Sequence, residues 1–103
     1  MTVGPSGRVL VTVSALLNMG GSDALGGQMA FSISGATTRT PSYTQALRYG
    51  IIAVSTIRNI DYAGSRTVLV TGLRPGVTTF TAKYAALIGS CSFEDRTIAV
   101  VQL

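Results

Sequence analysis

The stretch RTVLVTGLRPGVTTFTAKY, Arg66–Tyr84, decides the fold class. Thr78, Phe80, Ala82 and Tyr84 share one side and Thr79, Thr81 and Lys83 the other, because side chains alternate across a strand. One side is fit for a core and the other for water. Between the two β-branched runs, Pro75 fixes its own φ and donates no ladder hydrogen bond, while Gly72 and Gly76 tolerate positive φ. The chain must turn there, and the reading predicts two strands hinged as a hairpin on Gly72–Gly76.

Working toward the N-terminus, Arg8–Leu16 alternates in the same way. Val9, Val11, Val13 and Ala15 lie on one face, with Arg8, Leu10, Thr12, Ser14 and Leu16 on the other. That second face is mixed rather than polar, as expected of a strand whose outer side meets a neighbouring subunit. Residues 2–7 read as an extended lead-in with a turn at Gly4–Gly7. The glycine-rich 18–27 reads as a flexible surface loop. It lacks the flanking helix and the lysine that a phosphate cradle requires. Gln28–Ser34 is a further strand, with Met29, Phe31 and Ile33 inward and Gln28, Ala30, Ser32 and Ser34 outward. Residues 36–44 form a hydroxyl-rich loop, where Tyr43 admits a sugar or a protein partner. Helical spacing of Leu47, Ile51, Val54 and Ile57 competes with strand in 45–62; Gly50 and the β-branched Ile51, Ile52 and Val54 favour strands with an interruption.

Toward the C-terminus, 85–90 carries the chain across and Glu94–Arg96 forms a polar turn. Thr97–Leu103 is apolar on both faces, which predicts a strand buried on both sides within an assembly.

The 103 residues suffice for one domain, 1–103. Apolar residues make up 47% and charged residues 12%, the latter about half the usual share. With so few charges, part of the exterior is expected to be covered by other copies or a larger assembly. No run of eighteen apolar residues and no signal-peptide pattern occur, so no membrane is implied and synthesis in the cytosol is expected. The net charge of +4 comes from scattered basic residues that form no stripe for nucleic acid.

Chemistry-bearing residues are few. Histidine is absent, removing the commonest general base and metal ligand. A single cysteine, Cys91, reads as a half-buried small hydrophobe. Glu94 and Asp95 converge only in a turn, the one place where a calcium ion has candidate ligands. No base accompanies Ser14, Ser90 or Ser92. The expectation is a protein that is not an enzyme and carries no cofactor.

Two resemblances follow from these residues. Leu73-Arg74-Pro75-Gly76 followed by Phe80 resembles the tyrosine corner of fibronectin type III domains, with phenylalanine in the tyrosine's place. A longer resemblance runs through Gly7–Ala15, Phe31–Thr38, Leu69–Leu73 with Phe80–Tyr84, and Phe93–Val100. In order and spacing these are similar to the C-terminal β-domains of actinobacterial phage and prophage virion proteins, including minor tail and surface proteins. That resemblance implies an antiparallel, jelly-roll-like β-sandwich of the tumour-necrosis-factor type, assembled as a homotrimer. It implies a non-enzymatic virion protein whose partners are its own copies and capsid or tail proteins. Met1 lies almost on the domain, which favours a capsid decoration or surface protein. For an excised fragment, the receptor- or carbohydrate-binding tip of a tail protein, meeting a host surface glycan, becomes the first expectation. A fibronectin-like adhesion module is the third. The outward Leu10, Leu16, Leu69 and Val101 are the residues expected at the subunit interface.

Overall fold

The computed structural model describes residues 1–20, 24–52 and 59–103. These form seven strands: β1 (Thr2–Val3), β2 (Val9–Gly20), β3 (Ala24–Gly35), β4 (Leu47–Ile52), β5 (Asn59–Val70), β6 (Gly76–Ile88) and β7 (Ser90–Gln102). A single 3-10 turn spans Tyr43–Gln45. All pairings are antiparallel, in a four-stranded sheet ordered β1-β6-β3-β4 and a three-stranded sheet ordered β5-β2-β7. The all-β expectation is met. The domain measures 52 × 20 × 16 Å, elongated because twelve-residue strands run to about 40 Å at the usual rise per residue.

The core forms where the alternation placed it. From β2, Val9, Val11, Val13, Ala15, Leu17 and Met19 all point inward and are buried, facing Met29, Phe31 and Ile33 of β3. Aromatic pairs close both flanks of the sandwich. Tyr49 of β4 stacks on Tyr62 of β5 at 4.3 Å between ring centres, and Tyr84 of β6 meets Phe93 of β7 at 4.9 Å. Arg66 ties the first flank by donating to the Ala46 carbonyl at 2.8 Å.

The turn in the deciding stretch is present, but the hairpin is not. β5 pairs with β2 and β6 with β3, so residues 71–75 carry the chain from one sheet to the other. Leu73 explains the crossing: it is buried and acts as a plug at the end of the core, its amide donating to the Gly7 carbonyl at 3.1 Å. A tight hairpin would have left this leucine in water.

Three more expectations are corrected. Asn18–Gly20 and Ala24–Gly27 are strand rather than loop. Residues 85–88 likewise continue β6. Glu94–Arg96 is no turn: β7 runs through it with a bulge, where two residues face Ala15 and Asp95 takes φ +48°. β7 itself is an edge strand paired only with β2, and in the isolated chain Thr97, Ala99 and Val101 are exposed on its outer side. The expected interruption of 45–62 falls on residues 53–58, outside the described residues, and strands flank it on both sides.

Strand neighbours follow those of immunoglobulin-type sandwiches, where B lies beside E, C beside F and C′ beside C. Here β2–β5, β3–β6 and β4 take those places. The terminal strands are exchanged, for β7 lies beside β2, in the place of A, and the two-residue β1 beside β6, in the place of G.

Gly27 shows why glycines occupy the start of β3. A Cβ there would run into the Cys91 sulfur and lie 3.1 Å from its Cβ and 3.4 Å from Leu17 Cδ2. Gly27→Ala is therefore expected to destabilise by about 2 kcal/mol through overpacking. The double variant Gly27→Ala/Cys91→Ala should recover more than half of that loss in urea denaturation. Additive effects of the two substitutions would show that the contact is not the cause.

Candidate functional site

The outer face of the three-stranded sheet is built from the outward positions of β2, β5 and β7, whose registers align them in rows. Leu10 is flanked by Leu69 and Val101, Thr12 by Thr67 and Ala99, Ser14 by Ser65 and Thr97, and Leu16 by Ala63 and Glu94. Leu103, whose amide donates to the Arg8 carbonyl, continues the face beyond Val101. Leu69, Val101 and Leu103 are 49%, 56% and 46% exposed, which is high for aliphatic side chains standing side by side.

The polar residues of this face largely satisfy one another. Thr12 and Thr67 share a hydroxyl hydrogen bond of 2.7 Å, Ser14 and Thr97 share a second, and Asn18 donates to Asp61. Apart from Ser65, the hydroxyls in the middle of the face bond across strands, and the side chains there are small. Charge lies at its ends, with Arg8 at one and Glu94 and Asp61 at the other, and at the β7 bulge, with Asp95. Beside the β7 bulge lies a shallow, open hollow lined by Ser14, Ala15, Leu16, Ala63, Gly64 and Asp95.

Three of the four residues expected at an interface, Leu10, Leu69 and Val101, thus form a single row. Leu16 lies on the same face but roughly 20 Å further along, six residues at the strand rise, where it borders the hollow. Leu103 was missed as a member of the patch; its signal was the alternation of Ala99, Val101 and Leu103. From Arg8 to Asn18 the face covers roughly 34 by 14 Å, about 500 Å² per copy. Two copies in contact would bury about 1,000 Å², the size at which specific interfaces begin.

Among the described residues no three of His, Cys, Asp and Glu come together to hold a metal. Cys91 points inward, half-buried, and desolvation pushes its thiol above the usual range, which disfavours the thiolate. No protein-family model, curated protein or solved structure matches the chain.

Proposed function

We propose that the chain is a non-enzymatic structural protein of a phage virion, a surface subunit of the decoration kind that docks on a capsid as a trimer of β-sandwiches. The observation that carries this reading is the outer face of β5-β2-β7. Its central rows hold aliphatic, alanine and hydroxyl side chains, the hydroxyls of Thr12 and Thr67 and of Ser14 and Thr97 bonded to each other, a composition suited to contact with protein rather than with a charged ligand. The virion resemblance supports it further: its matching segments fall on β2, β3, the β5–β6 crossing and β7, the elements that build both the core and this face.

Co-sedimentation with purified phage capsids lacking their own decoration protein tests the reading. Saturable binding at a fixed number of copies per capsid is the expected result. Absence of capsid binding, together with retention on immobilised glycans, would overturn it in favour of a tail-tip or adhesion role. One observation favours a second reading, a fibronectin-like adhesion module: the immunoglobulin-type neighbour pairs of β2–β5 and β3–β6. That module would be a stable monomer.

A further inference from the structure

The outer face of β5-β2-β7 has two unlike halves. Toward the start of β2 stands the row of Leu69, Leu10 and Val101, its flanking members about half exposed, with Arg8 one row further out. Toward the other end lies the hollow beside the β7 bulge, set between the Ser14 and Leu16 rows, with Glu94 in the Leu16 row and Asp61 in the Asn18 row beyond it. One half projects and the other recedes. Among the described residues of this face Arg8 is the one cation, and neither its guanidinium nor the Glu94 carboxylate has a hydrogen-bond or ion-pair partner there.

We infer that the two halves fit each other across copies: the Leu69-Leu10-Val101 row of one copy seats in the hollow of the next, and Arg8 of the first lies over Glu94 and Asp61 of the second. The contact rests on the reading that copies of the chain cover this face, and it adds how they meet. Spacing sets its sense. Arg8 lies two residues, roughly 7 Å, outside the apolar row, and the hollow is level with Ala15, roughly 3 Å short of the Glu94 row and 10 Å short of the Asp61 row. With the two β2 strands opposed in direction, seating the row at Ala15 carries Arg8 to the level of Leu17, between those carboxylates. With the strands running alike, Arg8 lands at the level of Val13, between rows that hold no charge. Stacking with like ends together would bring Arg8 beside Arg8 and Glu94 beside Glu94, and like charges in contact oppose association. Because the contact joins unlike halves, three copies close a ring in which each gives its row to one neighbour and its hollow to the other. A two-fold pair makes the same contact twice.

Within one chain Arg8 and Glu94 stand roughly 27 Å apart, far beyond the screening length of about 8 Å at physiological salt, so any coupling between them arises between copies. Assembly is followed by light scattering over a dilution series at that salt. Arg8→Glu and Glu94→Arg should each weaken it at least about tenfold, and Arg8→Glu/Glu94→Arg should assemble more tightly than either alone. Ala63→Tyr, at an exposed position lining the hollow, should weaken assembly although it adds apolar surface. All four variants should keep the thermal transition of the parent chain. Additive losses in the double variant, or an Ala63→Tyr chain that assembles as well as the parent, would overturn the inference and leave the covered face standing. A parent chain that stays at 10.7 kDa overturns both. A parent of about 21 kDa, twice 10.7 kDa, with the same coupling would support the contact and overturn the trimer alone.

Discussion

Leu69→Asp combined with Val101→Asp is expected to leave the chain folded and to hold it as a monomer of 10.7 kDa. Both side chains are about half exposed, so the isolated domain loses little; surface changes of this kind stay within about 0.5 kcal/mol each when no special feature is broken. The effect on assembly is of another order. The two positions flank Leu10 in one row, so an interface on this face must bury both carboxylates, and an unpaired buried charge costs about 3–5 kcal/mol. One such charge per contact weakens association at least a hundredfold, since about 1.4 kcal/mol is a factor of ten. Leu69→Ala/Val101→Ala, which removes area but adds no charge, should weaken assembly far less. Size-exclusion chromatography of both variants at matched concentration checks the pair. An aspartate variant that stays assembled would remove this face from the interface.

Gly7→Ala is expected to cost about 3 kcal/mol of stability, combining roughly 1–2 kcal/mol for a left-handed backbone with displacement of a neighbouring peptide. Gly7 has φ +64°, and a Cβ there would lie 2.5 Å from the Leu73 carbonyl oxygen. Leu73 is the plug at the sheet-to-sheet crossing, and its amide is bound to Gly7, so a shift at either position loosens the closed end of the core. Gly72→Ala supplies the contrast. Its φ is +71°, but a Cβ there meets only the end of Arg39, at 3.3 Å. It should therefore show the backbone cost alone, about 1 kcal/mol. In thermal denaturation the two variants should differ by roughly 8–16 °C at this chain length, given about 4–8 °C per kcal/mol. Equal losses would show that the contact with Leu73 contributes nothing.

Period-two alternation made the faces legible. Val9–Ala15, Met29–Ile33 and Thr78–Tyr84 point as their spacing says, and the outward leucines were identifiable for the same reason. What alternation does not encode is which strand lies next to which. That is why Arg66–Tyr84 read as a hairpin, although its two halves belong to different sheets. The deciding residue, Leu73, is a single apolar side chain in a turn, visible as a core plug only once both sheets are in place. The glycines of 18–27 misled in a different way. Gly27 stands in a strand because Cys91 and Leu17 occupy the space a side chain would need, a constraint set by residues distant in sequence. Gln28 and Ala30 point to the outer face as expected yet are buried there, with the chain around Tyr43–Gln45 lying against β3. The Gln28 Oε1 has no hydrogen-bond partner. Among the residues expected at an interface, the row of Leu10, Leu69 and Val101 required the registers of three strands at once, so composition led to the expectation of a covered surface but not to its position.

Solution molar mass, measured by light scattering on a size-exclusion column over a range of concentrations, tests most directly the claim that copies of this chain cover the β5-β2-β7 face. The account predicts about 32 kDa, three times 10.7 kDa, persisting on dilution. A stable 10.7 kDa across the same range would contradict it, leaving the row of Leu10, Leu69 and Val101 uncovered by any copy of the chain.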